Sequence, residues 1–377
     1  MYKRQPPAYP FLLSLVYRVF GANPGNAEVF NAFLGAATVP LLYLVALRSF
    51  GRPAAKLAGV LLALMPGQIL VAEGILAETL YAFVLVGFFA LLVTLPDRRW
   101  AAALLGAAVG VAALTRGEGV FLLVVPIAVW WGSLPRRELA VRAAVTVAAA
   151  VLVVAPWTIR NAVELGSFVG ISTNSSQTFW AGHNPYAYGG ATYAQGEVRA
   201  EIGRLPTENF EVAQARLMRK DALSWMVHHP LQELTLIPRK LVYLNLGDSR
   251  AIQVGVTSAD RARGLDAPVT GGITPVITDN ARAAVLIGTI ADIAWYGLLA
   301  LTALALVVLG PELWRRPASR AAIVVIALAL VLYGFVFYGN FRYRLPLEPL
   351  MILLAVSLLA PVWEARRRLR DSTAVGG

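Results

Sequence analysis

The chain has 377 residues, of which 58% are hydrophobic and only 15% are charged, and its mean hydropathy is +0.63. Soluble domains average about 45–50% apolar and about 25% charged residues. The apolar excess therefore excludes a disordered chain, a coiled coil and a simple water-soluble enzyme, and it indicates a protein that crosses the membrane several times. The absence of cysteine excludes disulfides, thiolate metal sites and cysteine nucleophiles.

Hydropathy predicts about nine membrane-spanning helices, so the predicted fold class is an all-α polytopic membrane protein. The short second span contains Met65-Pro66-Gly67, where a break or a tilt is expected. The segment 6–20 is too short to cross and predicts a helix that lies in the outer membrane interface. The predicted spans are 30–48, 54–70, 76–95, 100–115, 119–134, 140–158, 287–309, 321–338 and 345–363.

These spans divide the chain into four predicted parts. Residues 1–29 carry the outer interfacial helix and an N-terminal remnant, and 30–158 form a six-helix transmembrane region. Residues 159–281 form an extracytoplasmic loop domain, with helices predicted at 207–228 and 231–246 and loops at 172–196 and 247–280. Residues 282–377 form a three-helix transmembrane region that ends in a basic cytoplasmic tail.

The net charge of +11 is a topology signal, because the basic residues of the short connections concentrate on alternate connections and in the tail. The positive-inside rule assigns the richer side to the cytoplasm, so the loop domain lies outside and nucleic acid is excluded as a partner. Residues 1–29 then also lie outside, although Met1-Tyr2-Lys3-Arg4-Gln5 does not begin a signal peptide, and we expect a fragment that lacks at least one N-terminal span. The cytoplasmic set is Arg48, Arg52, Lys56, Arg98, Arg99, Arg136, Arg137, Arg142, Arg315, Arg316, Arg320, Arg366, Arg367, Arg368 and Arg370, against Arg116, Arg342 and Arg344 on the other side.

Ionisable residues near the spans gather at their outer ends. Charges in membrane segments are costly and usually functional, and a transporter or proton relay needs them near the midplane. Clustering at one face instead favours a reaction at the outer surface on a lipid-borne substrate. The cluster consists of Glu73, Glu78, Arg116, Glu118, Asp292, Arg342 and Arg344.

The main candidates among these residues each have more than one interpretation. Glu78 fits a general base, a ligand of a divalent cation or a partner of an arginine. Arg116 fits a phosphate clamp or a pair with Glu118, and Arg342 and Arg344 fit phosphate ligands or interfacial anchors. A loop histidine such as His183 is either structural or in contact with substrate.

Several motifs together resemble the GT-C superfamily of polytopic glycosyltransferases that use polyprenyl-phosphate sugars. The nearest branch holds protein O-mannosyltransferases, the lipid A aminoarabinose transferase and Rgt-type transferases of lipopolysaccharide core. The resemblance rests on Pro6-Pro7-Ala8-Tyr9-Pro10, Phe20-Gly21, Ala77-Glu78-Thr79-Leu80, Leu114-Thr115-Arg116-Gly117-Glu118-Gly119, Ala155-Pro156-Trp157-Thr158-Ile159-Arg160-Asn161, Ser172-Thr173-Asn174, Gly182-His183-Asn184-Pro185 and Arg342-Tyr343-Arg344-Leu345-Pro346.

The resemblance implies an inverting sugar transfer to a lipid, glycan or protein acceptor at the outer face of a bacterial inner membrane. A carboxylate would deprotonate the acceptor, and the leaving polyprenyl phosphate would be neutralised by arginine or by a divalent cation. The family's main catalytic aspartate precedes the Pro-Pro stretch, so it lies upstream of this chain. Glu78 is then the catalytic candidate, and a transporter or flippase of lipid-linked sugars remains the alternative. The substrate-binding candidates are Arg116, Glu118, His183, Asn184, Arg342, Tyr343 and Arg344.

Overall fold

The computed structural model describes residues 5–95, 98–249 and 279–359. Within these ranges the chain folds into helices joined by turns and short irregular segments, and it contains no strand. Together with the apolar helices described below, this confirms the predicted class of all-α polytopic membrane protein.

The N-terminal part forms eight helices. Pro at the first positions of α2, α3 and α4 suits a helix start, because the missing N–H would have no partner there. The helices are α1 (Ala8–Phe20), α2 (Pro24–Phe50), α3 (Arg52–Leu64), α4 (Pro66–Glu73), α5 (Glu78–Thr94), α6 (Ala101–Thr115), α7 (Val124–Trp130), preceded by a 3-10 turn at Gly117–Leu123, and α8 (Arg136–Leu165).

The loop domain follows α8 and contains α9 (Asn174–Gly182), α10 (Gly196–Gly203), α11 (Phe210–His228) and α12 (Pro230–Leu244). The C-terminal part then returns to long apolar helices. These are α13 (Asp279–Arg315), α14 (Pro317–Val331), extended by a π-helical turn at Leu332–Val336, α15 (Phe341–Arg344), and α16 (Glu348–Ala355), which lies between 3-10 turns at Leu345–Leu347 and Val356–Leu359.

Four helical segments in the described ranges are long and apolar enough to cross a membrane: Pro24–Phe50, Arg136–Leu165, Val285–Arg315 and Pro317–Val336. The pair α3 and α4 makes a fifth, bent by 45°, and this bend confirms the predicted break at Pro66. The predicted spans 76–95, 100–115 and 119–134 correspond to shorter apolar helices, and the end of 345–363 lies outside the described residues, so the count of nine crossings stays a prediction.

The loop domain corrects two details of the sequence analysis. Residues 174–182 are helical although their polar composition predicts a loop, because Trp180 anchors α9 in a small core with Met218 and Ala222. The helix predicted at 207–228 begins at Phe210 instead, directly after Asn209, whose backbone lies in the left-handed region (φ +52°). Most of the predicted loop 247–280 and the basic tail 366–370 lie outside the described residues.

Close packing of α6 against α8 depends on two glycines. A Cβ atom at Gly106 would overlap the backbone carbonyl of Thr146, and one at Gly110 would overlap the side chain of Val153. Backbone atoms inside a packed helix pair cannot move cheaply, since protein interiors are close-packed. This pair matters for the site because Arg116 follows directly after α6.

We expect Gly106→Ala to lower the thermal unfolding temperature of the purified protein, because overpacking a close contact costs about 1–3 kcal/mol. Gly297→Ala in α13 is the matched control, since a Cβ there meets nothing within 4 Å. The control should leave the unfolding temperature unchanged or raise it, through the better helix propensity of alanine. Equal unfolding temperatures for the two variants would contradict the packing argument.

Candidate functional site

Three segments distant in sequence bring their charged side chains together at Glu78. This residue is the first of α5 and is 2% exposed. Its Oε1 atom lies 2.7 Å from Nη2 of Arg342 and 3.0 Å from Nη1 of Arg116. The Nε atom of Arg342 also donates a hydrogen bond of 3.2 Å to this oxygen, so two guanidinium nitrogens of Arg342 meet Glu78. One carboxylate therefore orients two guanidinium groups, which is the central geometry of the site.

A tyrosine-rich wall completes this cluster. The Arg116 Nε atom also bonds Glu118, whose Oε1 atom accepts a hydrogen bond of 2.9 Å from the Tyr333 hydroxyl. Tyr343 stacks on Tyr333, with ring centroids 4.7 Å apart, and its face lies 5.1 Å from the Arg116 guanidinium. The Tyr343 hydroxyl donates to that of Tyr338 at 2.6 Å. Cation–π contact and ion pairing thus fix Arg116 on several sides.

A cavity of about 40 Å³ lies beside this wall. Its polar groups are the Glu118 carboxylate and the tyrosine hydroxyls, and the rest of its lining is apolar. The side chain of Arg342 is 41% exposed and that of Arg116 is 12% exposed, so the cluster borders open space through Arg342. The lining residues are Tyr81, Glu118, Phe121, Leu122, Val325, Leu328, Ala329, Leu332, Tyr333, Tyr343 and Leu347.

Arg344 occupies a different environment from Arg342 although only Tyr343 separates them. Its side chain is 2% exposed, and its Nη2 and Nη1 atoms lie 2.5 Å from Asp248 and Glu348 respectively. Its guanidinium lies 3.6 Å from the centre of the Trp295 ring. These contacts hold the end of the loop domain against the C-terminal helices, and the role of Arg344 in substrate binding stays a prediction.

The carboxylates around Arg344 outnumber its single charge. Asp248 is 1% exposed and Glu348 is fully buried. Gln68 also stabilises the Glu348 carboxylate, because its Nε2 atom donates a hydrogen bond of 2.9 Å to it. Burial raises the pKa of Asp248, against the opposing effect of the Arg344 guanidinium. We call Arg344, Asp248 and Glu348 the electrostatic lock, because each of these buried charges is stabilised by the opposite charges of the group.

His183 and Asn184 are also internal. The His183 Nδ1 atom lies 2.7 Å from Glu233, and its Nε2 atom donates to the Val336 carbonyl at 2.9 Å. The Asn184 amide donates to the Trp180 carbonyl at 2.8 Å. Both residues are at most 1% exposed and fasten the chain after α9, and their contact with a substrate stays a prediction.

Lys240 lies in the same contact region. It is 1% exposed, and its Nζ atom lies 3.4 Å from His183 Nε2. Burial lowers the pKa of Lys240 to about 8, although the nearby Glu233 acts to raise it. The backbone of Gly339 donates to the Gly189 carbonyl at 2.9 Å, so the segment before Arg342 is fastened to the loop domain at two points.

The structure thus brings together five of the eight predicted site residues: Glu78, Arg116, Glu118, Arg342 and Tyr343. It places Arg344, His183 and Asn184 in separate buried contacts. The sequence analysis missed Tyr333, Lys240, Asp248 and Glu348. The four-residue spacing of Arg344 and Glu348 is a signal for that pair. The other partners come from segments far apart in sequence, so no local pattern marks them.

Within the described ranges, no group of three or more histidine, aspartate or glutamate side chains is arranged to hold a metal ion. The carboxylates near the site instead meet guanidinium, amide or hydroxyl groups. Arg116 and Arg342 are accordingly the positive groups that the described geometry offers to an anion.

Arg344→Met should strongly destabilise the protein, because it leaves Asp248 and Glu348 buried without their cation, a change that costs about 3–5 kcal/mol. Thermal unfolding of the purified protein measures the loss. Arg342→Met is the control, since the Arg342 side chain is 41% exposed and Glu78 keeps Arg116. Adding Asp248→Asn and Glu348→Gln to Arg344→Met should recover part of the loss, and equal destabilisation by the two arginine variants would contradict the lock.

Lys240 predicts a pH effect on stability. Its pKa of about 8 in the folded chain lies below its ordinary value of 10.5, so between these values the unfolded chain binds more protons. The free energy of unfolding should therefore rise as the pH increases from about 8 to 10.5. Lys240→Met should lose this component, whereas the exposed control Lys220→Met should keep it, when unfolding is compared across that range. Identical pH slopes in both variants would contradict the assignment.

Comparison with known proteins adds a family match for the N-terminal region. The sequence profile described as dolichyl-phosphate-mannose-protein mannosyltransferase matches residues 4–159. No curated protein sequence matches the chain.

Solved structures give distant similarities. The oligosaccharyltransferase AglB of Archaeoglobus fulgidus, in complex with an inhibitory peptide and a dolichol-phosphate, is 17% identical with a TM-score of 0.48, over 98% of this chain and 44% of that one. The complex of the Archaeoglobus fulgidus oligosaccharyltransferase with zinc and sulfate is 16% identical with a TM-score of 0.49, over 100% of this chain and 43% of that one. ArnT of Cupriavidus metallidurans bound to undecaprenyl phosphate is 16% identical with a TM-score of 0.42, over 94% of this chain and 67% of that one.

The chain thus spans less than half the length of the archaeal proteins that it resembles. The family match covers α1 to most of α8 and includes Glu78, Arg116 and Glu118. Over residues 4–159 the chain carries the sequence pattern of the dolichyl-phosphate-mannose-protein mannosyltransferase family, and this confirms the predicted resemblance to polytopic GT-C transferases.

Proposed function

We propose that the chain transfers a sugar from a polyprenyl-phosphate donor to an acceptor at the extracytoplasmic membrane face, with inversion at the anomeric carbon. The observation that carries this proposal is the convergence of Arg116 and Arg342 on Glu78 beside a largely apolar cavity. A phosphate on a hydrocarbon chain needs those two environments next to each other.

Arg342 is the first group assigned to the donor phosphate. A guanidinium has five N–H donors in a planar fork that fits phosphate oxygens. Arg342 uses its Nε and Nη2 atoms on Glu78, and 41% of its side chain stays exposed. It can therefore bind an anion while Glu78 fixes its orientation. Arg116 adds a second positive charge behind it, which favours the negative charge that develops on the leaving phosphate.

The cavity is assigned to the first isoprenoid units of the donor. It lies between the turn at Gly117–Leu123 and α14, and leucine, valine, alanine and phenylalanine side chains form most of its lining. Apolar burial stabilises a hydrocarbon chain by about 25 cal/mol per Å². The matched family is described by a dolichyl-phosphate sugar, which is a donor of this chemical class.

Glu78 is assigned to positioning the two arginines. A carboxylate that pairs with two guanidinium groups is a strong electrostatic anchor for both. These contacts go to its Oε1 atom, so Glu78 also remains the catalytic candidate of the sequence interpretation, with Oε2 assigned to take the proton of the acceptor hydroxyl as the polyprenyl phosphate leaves. Glu118 takes the matching role for Arg116 and Tyr333. A divalent cation would serve the donor phosphate in addition to these arginines.

The location follows from the charge distribution. The basic connections and the tail Arg366–Arg370 fit the cytoplasm of a bacterial inner membrane, and the loop domain then lies outside with the site at the same face. Acceptors that reach this face are lipids, glycans or proteins, and membrane lipids surround the spans. A transporter of lipid-linked sugars remains the alternative function.

The test uses the full chain in liposomes with a radiolabelled polyprenyl-phosphate sugar. Release of polyprenyl phosphate should occur, and Arg342→Ala and Arg116→Ala should each reduce its rate at least tenfold, because charge-assisted hydrogen bonds contribute about 1.5–3 kcal/mol. Arg219→Ala on the exposed face of α11 is the control and should keep the rate. Movement of intact donor across the bilayer without release would support a transporter and contradict the proposal.

A further inference from the structure

Helix α12 in the loop domain exposes a row of apolar side chains, which we call the outer stripe. The outer stripe consists of Leu231, Leu234, Pro238 and Val242. Leu231, Leu234 and Val242 are 77%, 60% and 61% exposed. Spacings of three and four residues place the row on one face of the helix. A contiguous apolar surface of this kind marks contact with a partner or a membrane, and no step proposed above uses it.

The opposite face of α12 packs against helices that are long enough to cross the membrane. Leu244 is 2% exposed and belongs to the main hydrophobic core. A Cβ atom at Gly334 would lie 3.3 Å from the Leu241 side chain and 3.9 Å from that of Ile237. Gly334 belongs to the last turn of the apolar segment Pro317–Val336. Helix α12 therefore lies against the end of a predicted span.

The C-terminal end of α12 reaches a second helix of this kind, α13. The Trp295 indole of α13 donates to the Asn245 carbonyl, which follows α12, at 3.0 Å. Near Trp295 on the same helix, Ile290 and Ile293 are 53% and 68% exposed. In a chain that crosses the membrane such side chains meet acyl chains, which are as apolar as leucine. The end of α12 is thus held at a depth where lipid surrounds the neighbouring helix.

The charged side chains of α12 lie off the outer stripe. Lys240 and Glu233 are on the opposite face, where both contact His183. Arg239 is exposed beside the stripe. The aliphatic stem of an arginine can lie along acyl chains while its guanidinium stays at the level of the phosphates. One apolar face and one polar face are the pattern of a helix that lies in a membrane interface.

We infer that the outer stripe of α12 is inserted into the membrane leaflet on the side of the loop domain. Its apolar side chains contact acyl chains, and Arg239 meets lipid phosphates. The helix enters the leaflet at Leu231 and lies deepest near Val242, because the end of α12 bonds Trp295. This inference is independent of the proposed sugar transfer.

The inserted helix connects lipid to the segment that carries Arg342. A Cβ atom at Gly339 would overlap the Lys240 carbonyl, so the backbone of α12 touches this segment directly. Lys240 also contacts His183, which donates to the Val336 carbonyl at 2.9 Å. Lipid that packs on the outer stripe therefore keeps α12 against the residues that lead to Arg342.

The experiment exploits the absence of cysteine from the chain, which allows one label to be placed at a time. Leu231→Cys and Val242→Cys, each carrying a bimane fluorophore, are prepared in the full chain in phosphatidylcholine nanodiscs. Glu201→Cys on the exposed side of α10 is the water control, and Ile293→Cys on α13 is the lipid reference. The quenchers are iodide in the buffer and lipids that carry a nitroxide at the headgroup or on the acyl chain.

Lipid nitroxides should quench both stripe labels several-fold more than the Glu201 label and within about twofold of the Ile293 label, because an interfacial helix buries its apolar face about 5–10 Å deep. Iodide should quench the Glu201 label several-fold more than either stripe label. The headgroup nitroxide should act more strongly at Leu231, and the acyl-chain nitroxide more strongly at Val242. Leu234→Cys is the third stripe position, and thermal unfolding verifies that each labelled variant is folded.

Two outcomes would overturn the insertion. Iodide quenching at the stripe as strong as at Glu201 would show that the stripe faces water. Protection of the stripe labels from iodide and from lipid nitroxides alike would show that protein covers it, either a second copy or another part of this chain. A Leu231 label that lies deeper than the Val242 label would contradict the proposed direction of entry.

Discussion

The contact of two guanidinium groups with the single Glu78 carboxylate is the interaction on which the site depends. It joins the start of α5, the end of α6 and the short helix α15, which are far apart in sequence. Removing such charges from water is costly, and this cost is offset only when the geometry satisfies the partners. At Arg116, Glu118 provides a second ion pair, and the Tyr333 hydroxyl donates a hydrogen bond to Glu118. The packing of the helices therefore holds these charges in a single arrangement.

Arg342 and Arg344 show how two similar residues acquire different roles. They are two positions apart, and both look equally suited to phosphate in the sequence. Arg342 keeps an exposed side chain, whereas Arg344 lies against Trp295 between two carboxylates. The buried arginine fixes the turn and thereby sets where the exposed one points. A rigid support of this kind lets a binding group meet an anion without losing much conformational freedom.

The sequence predicted the fold class, the break at Pro66 and the four charged residues that meet around Glu78, since hydropathy and local charge position are properties of neighbouring residues. It did not predict the helix at 174–182, because the burial of Trp180 against α11 overrides a polar composition. Nor did it predict the partner of Arg344 at Asp248, which lies about a hundred residues away in the chain. Burial and long-range pairing follow from tertiary packing, which no single motif encodes.

Helix α9 explains why buried residues such as His183 can matter for function without meeting substrate. His183 at its end donates a hydrogen bond to the Val336 carbonyl, and the Gly189 carbonyl in the following loop accepts one from the Gly339 amide. The segment that leads to Arg342 is therefore held against the loop domain. His183 therefore contributes to the placement of Arg342 through the backbone, because a buried hydrogen bond holds both of its partners in place.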